Sequence, residues 1–170
     1  MLISDAMNDA INAQIGHEFG AMLQYVAIAT YFDGEGLPML ARHFYRQADE
    51  EREHALRFVK YVSDTGGQVT IPALPATQSG FGSAEAAVQL SLDQELTVTR
   101  QINELMDRAI AENDHTTRNA LAWFVEEQLE EVSSFETLLR MVQRAGESGL
   151  LFVEEYLAHG HQEEAAGGPA

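Results

Sequence analysis

Residues 40–62 read LARHFYRQADEEREHALRFVKYV, and this stretch decides the fold. Leu40, Phe44 and Ala48 recur at helical steps, and Phe58 and Val62 continue the same stripe. Apolar residues every three or four positions mark the buried face of an amphipathic helix. Between the two apolar sets the stripe carries Glu51 and His54. Three positions apart, they share one face. An ionised carboxylate there loses its hydration, at a cost on the order of several kcal/mol. Pro38 suits the first turn of this helix, and Gly66-Gly67 ends it after Asp64.

Working outward, three more stretches show the same interrupted stripe. Before it, Met7, Ile11, Ile15, Met22, Tyr25 and Ala29 form a seam broken by Glu18, in a helix that Ser4 or Asp5 can cap and that runs to about Phe32. After it, Val88, Leu92, Val98, Ile102, Leu105 and Ala109 form a seam broken by Glu95, in a helix from Ser83 to about Asn113. Last, Leu121, Phe124, Phe135, Leu138 and Val142 form a seam broken by Gln128 and Glu131. Asp114 or Thr116 caps this fourth helix, and Gly146 ends it.

The connections order these helices. Asp33-Gly34-Glu35-Gly36 joins the first two, and a similarly short link joins the last two, so each pair is antiparallel. Residues 68–82 hold Pro72, Pro75, Gly80 and Gly82 without a helical period. That length can cross the whole bundle. The sequence therefore predicts an all-α four-helix bundle with one long crossover between helices two and three. Residues 148–159 predict a short fifth helix, with Leu150, Leu151, Val153 and Leu157 able to pack on a fourfold axis or on their own bundle. The domain spans 1–160, and 161–170 reads as a flexible tail.

Composition excludes several classes. With no cysteine, disulfides, zinc-thiolate sites and cysteine nucleophiles are out. A net charge of −17 offers no positive patch for nucleic acid or anionic lipid and attracts cations instead. No long apolar run suggests a membrane span. Residues 1–10 carry Asp5 and Asp9 and no basic residue, so a signal peptide is not expected and the location reads as cytoplasmic.

The intruders then carry the function. In an antiparallel bundle, mid-helix positions share one level, so Glu18, Glu51, His54, Glu95, Gln128 and Glu131 converge. One seam glutamate alone is often a snorkelling or water-bonded side chain, and a lone Glu-x-x-His arises by chance. Four seams interrupted at comparable depth make a stronger pattern. No lysine or arginine lies on the seams to pair with the acids. Oxygen ligands plus one imidazole suit iron or manganese. A Glu-x-x-His with glutamates from neighbouring helices is a ligand pattern of diiron carboxylate bundles.

Glu50-Glu51-Arg52-Glu53-His54-Ala55 resembles the second-helix signature of the ferritins, and Trp123-Phe124-Val125-Glu126-Glu127-Gln128-Leu129-Glu130-Glu131 their fourth-helix signature. The resemblance covers about residues 5–159 and is strongest to bacterial non-haem ferritins, the actinobacterial ones especially. It implies one iron held by Glu18, Glu51 and His54, and a second held by Glu51, Glu95 and Glu131, with Glu51 bridging. Gln128 would be a hydrogen-bonding neighbour. Tyr25 would be a phenol behind the ligands, able to donate an electron, or else a core aromatic with a satisfied hydroxyl. Glu50, Glu127, Glu130 and Glu131 match a third iron site, although a solvated acidic face explains the first three as well. The resemblance further implies Fe(II) oxidation by dioxygen or peroxide, and a homo-oligomeric shell of twenty-four subunits enclosing a ferric mineral.

Departures narrow the subfamily. Bacterioferritins carry a second Glu-x-x-His on the fourth helix, where Glu127 is followed by Glu130 and Glu131 by Ser134. They place a haem-binding methionine where Arg52 stands, so no haem is expected. Arg118 and Leu121 occupy the positions of the animal proteins' pore acids, which leaves that iron route without its residues. The rival readings are a diiron oxygenase or peroxidase-type enzyme, a haem-containing bacterioferritin, a small cage with its site between subunits, and a non-enzymatic bundle with water-bonded acids.

Overall fold

The structure, a computed structural model, describes the backbone of residues 1–166 and the side chains of residues 1–159. Among these the regular elements are all helical. Helix α1 (Asp5–Gly34) starts at Ser4, whose hydroxyl accepts from the Met7 N–H at 3.0 Å. Helix α2 (Pro38–Asp64) starts at Leu37, which has no side-chain cap to offer. Helix α3 (Ala84–Ala111) is capped by Ser83, which accepts from Ala86 N–H. Helix α4 (His115–Ala145) is capped by Asp114, which accepts from Thr117 N–H at 2.9 Å, and ends at Gly146 with φ 60°. A single 3-10 turn, Glu147–Gly149, leads into α5 (Leu150–Ala166).

Helix α5 runs past the His159 expected from sequence, through Gln162, Glu163, Glu164 and two alanines, all good helix formers. The rest of the expected flexible tail, 167–170, lies outside the described residues. Two carboxylates from this end of the chain finish helices elsewhere. Glu154 of α5 accepts from Met39 N–H at 2.8 Å and Leu40 N–H at 2.7 Å, supplying the cap that α2 lacks. Glu147 accepts from Ala84 N–H at the start of α3. These satisfy donors that a helix start otherwise leaves bare.

The core forms two apolar clusters. One gathers Met7, Ile11 and Ile15 of α1, Phe58 of α2, Ile102 and Leu105 of α3, and Leu121 and Phe124 of α4. The other gathers Tyr25 and Phe32 of α1, Phe44 of α2, Leu92 of α3, and Phe135 and Leu138 of α4. The amino half of α1 shares a cluster with the carboxyl halves of α2 and α3, so α2 and α3 run parallel. Parallel neighbours in sequence need a connection spanning the bundle. Nearly every seam residue read from sequence is buried, and Met22 is half-buried against the second cluster. Between the clusters, on all four long helices, lies the polar layer.

The crossover is strapped to α1 by amide side chains. Asn8 accepts from Gln68 N–H at 3.0 Å, and Asn12 donates to Gln68 O at 2.8 Å while accepting from Thr70 N–H at 2.9 Å. Gln24 makes the same two-way contact with the backbone of Gln78. Close approach is allowed by two glycines of α1. A Cβ on Gly16 would stand 2.3 Å from Pro72 Cγ, whereas one on Gly20 would stand 3.5 Å from Pro75 Cδ.

Alanine in place of mid-helix glycine is worth up to about 1 kcal/mol, and overpacking costs about 1–3 kcal/mol. Gly20→Ala is therefore expected to raise the thermal midpoint. Gly16→Ala is expected to lower it and to speed protease cleavage within 68–78. Equal gains in both variants would show that the crossover is not held tightly at Pro72.

Candidate metal centre

Burial brings the intruders together. Glu18, Glu51, His54, Glu95, Gln128 and Glu131 are all buried, with Glu95 fully so. One ligand atom each from Glu18, Glu51 and His54 lie within 4.8 Å of one another. His54 Nδ1 stands 3.5 Å from Glu51 Oε2 and 3.9 Å from Glu18 Oε2. Both of those carboxylate oxygens are buried without a hydrogen-bond donor. Buried acceptors left bare are costly, and a bound cation would satisfy them. The His54 ring is held at its edge by Trp123 and Phe124, with centroids 5.4 and 6.0 Å away.

Glu95 is held differently. Tyr25 donates its hydroxyl to Glu95 Oε1. Gln128 Nε2 donates to Glu95 Oε2 at 3.1 Å and to Glu95 O at 3.2 Å. Both oxygens on this side are thus engaged by protein donors. The Tyr25 ring is packed between Phe44 and Phe135, at 5.8 and 5.6 Å, which fixes where its hydroxyl points.

The electrostatics follow from burial, which outweighs the lowering pull of His54 on Glu18 and Glu95. Desolvation, then the neighbouring Glu51, pushes Glu18 well above the ordinary carboxylate range. Desolvation and then Glu95 raise Glu51 in the same way. Glu95 is raised by desolvation, against the lowering pull of its Tyr25 and Gln128 hydrogen bonds. Desolvation and then Glu95 push Glu131 up to about 9. Burial and the Glu95 charge also keep the Tyr25 hydroxyl protonated. Low-dielectric burial and like charge act in one direction on these acids.

The acids matched to a third site are more dispersed. Glu50 has a 38% exposed side chain, receives a hydrogen bond from Gln47 and stands 3.7 Å from Arg46 Nε. Burial raises its titration, and Glu127 also acts on it. Glu127 is half-buried, and its charge reaches Glu131 too. Glu130 is exposed, on a groove shared with His43, Ser134 and Tyr156. One buried residue beside the centre is absent from the seams read from sequence. Gln14 donates to Glu18 Oε1 at 2.8 Å. Its signal is its spacing, four residues before a seam carboxylate.

Residues 8–145 match the ferritin-like domain. The chain belongs to the ferritin family. It is 46% identical over 148 residues to ferritin BfrB of Mycolicibacterium smegmatis, covering 87% of this chain and 81% of that one. It is 36% identical over 155 residues to the bacterial non-heme ferritin of Staphylococcus aureus, covering 91% and 93%. Among solved structures, an open pore ferritin of the hyperthermophilic archaeon Archaeoglobus fulgidus superposes with a TM-score of 0.89 at 35% identity, covering 92% and 96%. The ferritin-like bundle with a C-terminal helix is therefore the fold of this chain, and its Glu18, Glu51 and His54 form the candidate iron-binding group of a ferritin.

A carboxyl raised by folding binds its proton in the native state and loses it in the unfolded chain. Between the two values the unfolded chain holds fewer protons, so stability falls as pH rises. The metal-free ferritin is expected to lose thermal stability from about pH 5 to about pH 9, in step with Glu131. Glu131→Gln should flatten that slope. Unfolding scans in a chelator across this range check it, and an unchanged slope would contradict the buried titration.

Proposed function

We propose that this ferritin oxidises Fe(II) at an intra-subunit diiron centre and stores the product as a ferric mineral. The observation that carries the proposal is the convergence of Glu18, Glu51 and His54 in the buried core, with one oxygen of each carboxylate lacking a hydrogen-bond donor. Two Fe(II) ions are the substrate. Glu18, Glu51 and His54 hold one, and Glu51, Glu95 and Glu131 hold the other, with Glu51 between them. Cation binding replaces the protons that burial keeps on these carboxyls, so uptake releases protons. Each iron gives up one electron, and dioxygen takes the pair with two protons to give peroxide, or peroxide takes it to give water. Tyr25 and Gln128 hold Glu95 in place.

The product then hydrolyses and leaves the centre. Glu50 and Glu127, whose charges act on Glu131, can hold a third iron, with the exposed Glu130 at the margin. A net charge of −17 draws Fe(II) toward the protein. The mineral needs an enclosed space, which a homo-oligomeric shell of twenty-four subunits provides. Among the described residues no helix is long and apolar enough to cross a membrane, in keeping with a cytoplasmic role in iron homeostasis. Arg52 after the bridging glutamate favours a haem-free centre.

Aerobic Fe(II) loading followed by size-exclusion with light scattering tests the storage role. A large particle that gains an iron mineral is expected. A monomer that takes up two irons and no more would overturn it. Glu51→Ala is expected to slow Fe(II) oxidation at least about tenfold, since second-sphere losses alone cost that much, with helix content retained. Wild-type kinetics in that variant would remove Glu51 from the centre.

A further inference from the structure

We infer that Gln14 is a positioning residue that fixes how Glu18 meets the metal. The inference rests on the ferroxidase reading of the site. Gln14 lies one turn before Glu18 in α1 and is 2% exposed. Its Nε2 donates to Glu18 Oε1 at 2.8 Å. The other oxygen, Oε2, has no donor and stands 3.9 Å from His54 Nδ1. The two oxygens are thereby divided, one tied to the protein and one left for the cation. With Oε1 tied, the orientation of Glu18 that offers Oε2 to the cation is favoured over one that offers both oxygens. A buried amide needs a hydrogen-bond partner, and Glu18 supplies it.

Gln128 does a different job with the same chemical group. It shares Glu95 with Tyr25, so that both Glu95 oxygens are engaged. On Glu18, Gln14 is the amide donor to Oε1, while the carboxyl also faces Glu51. Groups that orient a metal ligand in this way are typically worth about 10–100-fold in metal affinity.

The test is anaerobic titration with Co(II), read by its visible d–d absorption. Gln14→Leu removes the donor at similar size, and Gln14→Met does so with an unbranched chain should the leucine variant fail to fold. Either is expected to weaken Co(II) binding about 10–100-fold and to shift the d–d bands as Glu18 turns both oxygens to the metal, with helix content unchanged. In a Glu18→Ala background, the same substitution should change nothing further, because residues acting through one another are not additive. Wild-type Co(II) affinity in the Gln14 variants overturns the inference, as does an equal loss with and without Glu18. If Glu18→Ala alone binds Co(II) as the wild type does, the metal centre itself is misassigned, and the role of Gln14 falls with it.

Discussion

Four glutamates share the middle of this bundle, and no lysine or arginine is among the buried residues that surround them. Each acid gives up its hydration, and each raises the cost of ionising its neighbours. The apolar clusters on either side would pack more favourably without them. Rather than spreading the acids, the sequence places one on each long helix at a common level. An uncompensated arrangement of this kind is stable only with protons or cations on the oxygens. That requirement ties helix register to metal chemistry, because a slip of one turn in any helix would strand its acid among Phe and Ile side chains.

The centre is not symmetric. On the His54 side, Glu18 and Glu51 each keep a bare oxygen. On the opposite side, Tyr25 and Gln128 already occupy both oxygens of Glu95. One half thus leaves carboxylate oxygens without protein donors, and the other has both Glu95 oxygens engaged. Aromatic packing gives both halves their stiffness. Trp123 and Phe124 hold His54, while Phe44 and Phe135 hold Tyr25.

Much of this was legible in residue spacing. The four seams, their polar interruptions and the crossover topology follow from periodicity and link length, because burial on a helix is periodic. The straps that hold the crossover were not. Asn8, Asn12 and Gln24 look like ordinary polar helix positions until the backbone at Gln68, Thr70 and Gln78 is seen beside them. Gln14 escaped for a similar reason, sitting one position before Ile15 and off the apolar seam. Helix α5 extends beyond the expected end at His159, since the residues after Gly160 favour helix.

Glu154 caps a helix start that lies 115 residues before it. The amino end of α2 has no local substitute, since Leu37 offers no side-chain acceptor. A growing chain leaves the ribosome amino-terminus first. Most of α2 can therefore wind and pair with α1 during synthesis, while the amide groups of its first turn wait for α5 to be made. Closure of that turn follows only when α5 has come to rest on the bundle.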